Sequence, residues 1–312
     1  CTETLISTHP RLLQSTPAED WLVDSANKFA AAMRKKNGGS SELFICPPNE
    51  YGVKKFLSTF LVPTKASFGE FYNFRSCATF LSGYLQYEAL SPLNSFPDFL
   101  PSTYSIIKLQ MGNSFDLSLV LVSFLLGAGY DAYCVCGTAP ASLALGSGEK
   151  TYHAFDTTKM SNHNTLCNDY YLHSWVLVKR GTRRITEDVL IEASTGNVYL
   201  INQNPYKAVY FVWNDKNYWY KENPVDGTYF LGEPYAMSEL AGFYSFIDAT
   251  DGNLRNNPRS AITKEKYLDL PSPWSPSLSL NLELLQTRYS LRQHPIWIGL
   301  LKYESFSPSF QV

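Results

Sequence analysis

Three residues in this chain have the types and the order that acyl-transfer chemistry needs: Ser114, His173 and Glu192. Ser114 follows Gly112-Asn113 and leads into a nearly all-apolar run that stops at Gly127-Ala128-Gly129. A nucleophile at a helix N-terminus lies at the positive end of the helix dipole, where a thiolate is stabilised. His173 opens a strand-like run, and a histidine on a strand beside the helix takes the nucleophile's proton. Glu192 closes the next strand-like run, where a carboxylate fixes the histidine's tautomer. Each residue also has a plainer reading. Serine is a favoured helix N-cap, His173 fits a satisfied core histidine, and Glu192 fits a strand-end carboxylate near Lys179 or Arg183.

The elements that must position these groups can be read from the pattern. The run Leu117 to Ala128 is apolar around most of a helical cylinder, which predicts a central helix. Asp131 to Gly137 predicts a strand. The runs His173 to Lys179, Asp188 to Glu192 and Val198 to Ile201 are separated by Arg180-Gly181-Thr182 and Ser194-Thr195-Gly196-Asn197, which predicts an antiparallel meander. Val209 to Trp213 predicts a further strand before the aromatic Asn217-Tyr218-Trp219-Tyr220. Upstream, Thr16-Pro17-Ala18-Glu19 is a capping box opening a helix to about Lys35, with Trp21, Leu22, Phe29, Ala30 and Met33 on one face. Val53 to Leu61 predicts a short helix, and Phe71 to Tyr87 a longer one that buries Phe74, Cys77, Leu81 and Leu85. Ser91 to Ser102 predicts a loop. Thr138 to Tyr170, with His153, His163 and Cys167, predicts an irregular surface excursion. Asp251 to Ser277 is polar and Pro-rich, a linker or extended arm, with a short helix expected around Leu280 to Arg288. The expected organisation is an N-terminal helical segment over 1–42, the site-bearing domain over 43–240 and a Pro/Ser-rich linker with C-terminal extension over 241–312.

Composition bounds the function. The chain has 312 residues, 45% hydrophobic and 17% charged, which is globular and long enough for a real core. With 26 basic against 28 acidic residues and only short basic runs (Arg34-Lys35-Lys36, Lys179 to Arg184), nucleic acid is not an expected partner. The longest apolar run is too short to span a bilayer, so no membrane is expected either. The chain begins at Cys1 rather than Met and reads as part of a longer protein. Six cysteines lie scattered, without a disulfide-scaffold pattern, which points to a reducing, intracellular setting. Cys134 and Cys136 share one face of a strand. A zinc site with Cys167, His153 or His163 lacks the Cys-x-x-Cys spacing, so no metal and no cofactor are expected, and buried apolar cysteines are the preferred reading. Tyr and Phe are abundant (21 and 19), and the cluster around Trp213, Tyr218 and Trp219 reads either as core or as a partner-binding surface. Lys54-Lys55 and Arg183-Arg184 read as solvated faces.

The order nucleophile, His, carboxylate on helix, strand, strand resembles the transglutaminase-like arrangement. It implies an α+β fold with a papain-like (transglutaminase-like) core, the central helix packed on an antiparallel sheet. The runs Gly112-Asn113-Ser114-Phe115-Asp116-Leu117-Ser118 and Leu125-Leu126-Gly127-Ala128-Gly129-Tyr130-Asp131-Ala132-Tyr133-Cys134-Val135 are similar to the transglutaminase-like region of the dynein regulatory complex subunit 7 family, which includes homologues of the fly lobo protein. His173-Ser174-Trp175-Val176-Leu177-Val178, Cys46-Pro47-Pro48-Asn49-Glu50, Trp213-Asn214-Asp215-Lys216-Asn217-Tyr218-Trp219 and Leu270-Pro271-Ser272-Pro273-Trp274 extend the resemblance over most of positions 43 to 280. The resemblance implies a structural subunit of the nexin–dynein regulatory complex in the axoneme of motile cilia and flagella. Its partners would be other subunits of that complex and, indirectly, microtubule doublets. Two departures matter. The family pattern has Cys where this chain has Ser114, and Asp where it has Glu192. A thiol with a pKa of about 8.5 ionises near neutrality with help from a helix dipole, whereas a serine hydroxyl does not. Glu192 carries one methylene more than Asp and is expected to meet His173 at a shifted angle. The implied site is a degenerate triad of Ser114, His173 and Glu192 in a pseudoenzyme. The rival expectation is an active acyl-transfer or peptide hydrolase using the same three residues.

Overall fold

The architecture is built around one helix that is apolar on every side. In the computed structural model, which describes residues 10–36, 43–66, 69–146, 170–221, 243–245 and 270–278, this helix is α5 (Ser114–Gly127). Its residues Ser114 to Leu125 are all buried, so it must be covered all round. On one side lies α3 (Phe74–Tyr84), capped by Asn73, whose Oδ1 accepts from the N–H groups of Arg75 and Ser76. On the other lies a sheet. Among the described residues seven strands form it, in the order β6-β5-β4-β3-β7-β8-β9 and antiparallel throughout. The strands are β3 (Ala132–Pro140), β4 (Tyr170–Val178), β5 (Val189–Ile191), β6 (Val198–Leu200), β7 (Ala208–Trp213), β8 (Tyr218–Lys221) and β9 (Phe243–Ser245).

The expected meander is present as β4-β5-β6, with Val176 opposite Ile191 and Ile191 opposite Val198. The central position falls to β3, which pairs with β4 on one edge and β7 on the other. Strand alternation divides the core in two. Cys134, Cys136, Val176 and Val178 pack with α5 and α3, while Tyr133, Val135, Trp175 and Leu177 form a second cluster with Tyr206 and Trp219. The two cysteines therefore share a face, as expected. Gly137 lies at a β-bulge against β7, where a Cβ would sit 1.8 Å from the Ala208 carbonyl oxygen.

Other expectations are corrected. Helix α2 (Pro17–Lys36) begins at the expected capping box: the Thr16 N–H donates to Glu19 Oε2 at 2.8 Å and the Glu19 N–H to Thr16 Oγ1 at 3.3 Å. Leu22 and Phe29 face the core, but Trp21 is 69% exposed, on the opposite face. Val53 to Leu61 holds only one 3-10 turn, Leu57–Phe60, because Lys54 is drawn into a bridge with Pro48. The helix expected to reach Tyr87 ends at Tyr84. Residues Gln86–Tyr87 become β1, paired in parallel with β2 (Met111–Gly112). Between them α4 (Thr103–Leu109) was not legible as a helix; Ser102 caps it and Gln110, with φ of +56°, ends it. Short helices α1 (Pro10–Leu13) and α6 (Ala141–Ala144) and 3-10 turns at Gly69–Tyr72 and Ile201–Gln203 complete the described elements. His153, His163, Cys167 and the helix expected at Leu280 to Arg288 lie outside the described residues. No described helix is long and apolar enough to cross a membrane.

Candidate functional site

The start of α5 is held from two directions. Asn113, not Ser114, is the N-cap: its Oδ1 accepts from the Phe115 and Asp116 N–H groups, while the Asn113 N–H donates to Asp116 Oδ2 at 2.9 Å. Ser114 is the first helical residue, which corrects the N-cap reading. Asp116 is pressed against Gly112, where a Cβ would meet the Asp116 side chain at 2.6 Å. That contact accounts for the glycine two residues before Ser114. Burial raises the Asp116 carboxyl to about 7; the Asn113 N–H pulls it down and the Glu88 and Glu50 charges add to the rise. At its other end α5 closes in a Schellman motif. The Tyr130 N–H reaches the Leu125 carbonyl, the Gly129 N–H reaches the Leu126 carbonyl, and Gly129 has φ of +87°. Gly127 has no room for a Cβ, which would fall 1.9 Å from the Thr64 carbonyl oxygen.

This anchoring places Ser114 at the edge of β4, where β5 has ceased to pair with it. There the Ser174 N–H donates to Ser114 Oγ at 3.2 Å. The adjacent residue, His173, turns to the carboxylate. His173 Nε2 and Glu192 Oε2 are 2.8 Å apart, both side chains fully buried. The longer Glu192 side chain thus reaches the ring within hydrogen-bond distance. Glu192 does not pair with Lys179 or Arg183, which settles its plain surface reading. Three further donors hold it: Tyr206 Oη to Oε2 at 3.0 Å, and the Ser194 Oγ and N–H to Oε1 at 2.7 and 3.1 Å. Burial opposes the charge on Glu192, but its interaction with His173 and the hydrogen bonds from His173 and Ser194 outweigh it and hold the carboxyl below its ordinary value. An ionised Glu192 is an acceptor only, so Nε2 carries a hydrogen. That leaves Nδ1 as the ring's second nitrogen, and it has no hydrogen-bond partner among the described residues.

Sequence reasoning missed the supports of this site. Tyr206 stacks on Trp175 at 3.9 Å with the rings 3° from parallel. Tyr87 meets the His173 ring edge-on at 6.3 Å and donates from its hydroxyl to the Ala144 carbonyl. Ser194 could have been found from its spacing, two residues after the carboxylate, where a serine closes back on Glu or Asp. Nothing local marks Tyr206 or Tyr87.

The structure brings Ser114, His173 and Glu192 to one place and buries all three, at 1%, 0% and 0% exposure. No hydrogen bond joins Ser114 to His173 among the described residues. The aromatic candidates resolve to core: Trp213, Tyr218 and Trp219 are buried, with the Phe115 ring stacked 6.4 Å from Trp213. They offer no exposed contact face, which corrects the partner-surface reading of these side chains. Burial pushes the thiols of Cys134 and Cys136 well above their ordinary value, which disfavours the nucleophilic thiolate. No group of His, Cys, Asp and Glu among the described residues is suited to hold a metal. Lys55, read as solvated, is buried and donates to Glu19 Oε2 at 3.0 Å.

The fold and site define a class: a mixed α/β chain, helices packed on an antiparallel sheet, with a buried serine, histidine and glutamate where the central helix meets a strand edge. No family model matches the chain. It is similar to dynein regulatory complex subunit 7 of Xenopus tropicalis, 29% identical over 367 residues, which cover 96% of this chain and 43% of that protein. The protein of the same name from Chlamydomonas reinhardtii is 30% identical over 250 residues, covering 79% of this chain and 20% of that protein. The coiled-coil domain-containing protein lobo of Drosophila melanogaster is 23% identical over 396 residues, covering 97% and 43%. These likenesses support placing the chain with the dynein regulatory complex subunit 7 family and its lobo homologue. The chain spans about two fifths of the length of the Xenopus relative.

Proposed function

We propose that this chain is an architectural module of a dynein regulatory complex in the axoneme of cilia and flagella, holding other subunits of that complex rather than catalysing a reaction. The names of its relatives support the setting. The chemistry of the site supports the role. In a working site of transglutaminase-like type, a thiolate faces the free nitrogen of the histidine. Here Ser114 opens the central helix, and its Oγ accepts a backbone N–H. This single contact carries the reading. A serine needs full general-base help, and Ser114 makes no hydrogen bond to His173 among the described residues. The retained His173–Glu192 pair, with its ring of donors, serves as a buried polar brace between β4 and β5.

The rival is a serine acyl-transferase or peptide hydrolase, favoured by one observation: the unpartnered Nδ1 of His173 is where a general base would act. Incubation with a fluorophosphonate probe separates the two. The architectural reading expects no labelling of the intact chain. Stoichiometric labelling that disappears in Ser114→Ala would overturn it.

A further inference from the structure

A groove of about 500 Å³ runs beside α2, away from the buried site. Its lining includes Ala30 and Arg34 of α2, an aromatic floor of Phe44 and Phe96, and the charged side chains of Lys54 and Asp98. The floor is preformed. The Phe44 and Phe96 rings stack at 4.8 Å and 12°, and both rest edge-on against Phe115, within α5. A rigid aromatic floor loses little entropy when a ligand covers it. Arg34 and Lys54 are exposed, and neither side chain pairs with an acid among the described residues. Elsewhere the cations Arg11 and Lys55 are consumed by Glu19. Among the described residues the groove therefore carries two positive charges without an acidic partner against one carboxylate, on a chain whose net charge is -2.

We propose that this groove docks an extended, acidic segment of a protein partner, with one apolar side chain on the Phe44–Phe96 stack and flanking carboxylates on Arg34 and Lys54. The volume suits a short peptide anchor rather than a folded surface. Charge complementarity decides the sign: a basic segment would meet Arg34 and Lys54 head-on and pay for it in affinity. This site goes beyond the architectural reading and does not depend on the Ser114 site.

The test is fluorescence anisotropy of the 312-residue chain with a fluorescein-labelled peptide of alternating glutamate and leucine, and with its lysine–leucine counterpart. Saturable binding of the acidic peptide is expected, and none of the basic one. Arg34→Glu combined with Lys54→Glu, both exposed changes, should weaken binding by at least about tenfold. Ala30→Trp should block it by filling the groove. The fluorophosphonate result on Ser114 is read separately from this binding, so that failure here is distinct from failure of the architectural reading. Equal binding of both peptides, indifference to the double charge reversal, or no saturable binding of the acidic peptide would each overturn the proposal.

Discussion

Ser114 Oγ is 1% exposed and receives a backbone N–H from the very strand that carries His173. A buried N–H deprived of its acceptor costs about 1–3 kcal/mol. Ser114→Ala is therefore expected to lower the unfolding free energy by that amount, read as a fall in the urea midpoint at unchanged m-value. A hydroxyl kept only as a nucleophile would leave the midpoint where it is. Glu192 illustrates the same principle on the acid side. Burying a carboxylate is unfavourable unless its lone pairs are filled, and here two donors occupy each oxygen. The extra methylene relative to aspartate is absorbed because Ser194 and Tyr206 grip the carboxylate while it reaches His173.

At the scale of the element, α5 depends on a capping box whose acid cannot see water. Asp116 is 4% exposed, with its folded value raised from 3.8 to about 7, first by burial and then by the Glu88 and Glu50 charges, against the pull of the Asn113 N–H. The sign follows from linkage. Between 3.8 and about 7 the native state holds a proton that the unfolded chain has released. The contribution to stability is thus fully present below 3.8, falls as pH rises, and is lost above about 7. Asp116→Asn keeps an amide oxygen to accept the Asn113 N–H and removes the titration. Tm measured across this range should fall with pH in the parent chain and lie flatter in the variant, the variant gaining relative stability toward neutral and alkaline pH. Parallel profiles would show that Asp116 does not control the slope.

The whole molecule is tied by contacts between segments far apart in the chain. Residues 270–278, whose first eight belong to the Asp251 to Ser277 stretch expected as a linker or extended arm, pack onto the rest of the described residues. Trp274 is 1% exposed, donates from Nε1 to Thr59 Oγ1 at 3.0 Å, and stands edge-on to Phe60 with ring centres 5.0 Å apart. Arg11 donates to the carbonyls of Ser272 and Pro273, and the Leu278 N–H to Thr64 Oγ1. Beneath the arm lies the Lys55–Glu19 pair, with Lys55 Nζ 5.3 Å from the Trp274 ring centre. Truncating a buried tryptophan costs about 3–5 kcal/mol. Trp274→Ala should lower Tm by several degrees in differential scanning calorimetry. A change within measurement error would mean that the arm rests on the domain without contributing to its stability.

What could be read without coordinates was whatever a local pattern enforces. The capping box at Thr16, the all-round apolar run of α5, its Gly127-Ala128-Gly129 stop and the turns of the β4-β5-β6 meander each follow from a few adjacent residues, because caps, turns and periodicity are short-range. Candidates Ser114, His173 and Glu192 were legible by type and order alone. Tertiary structure decided how they meet: that Asn113 caps and Ser114 accepts from Ser174, that Tyr206 and Ser194 fill the carboxylate, and that Trp21 faces outward while Trp213 and Trp274 face inward. It also turned Lys55 from a surface cation into a buried one. Apart from the Asn113 cap and the Ser194 contact, which are local, these outcomes rest on partners far away in the chain. A side chain's burial and hydrogen bonds are set by what the fold brings beside it, and no local pattern encodes that.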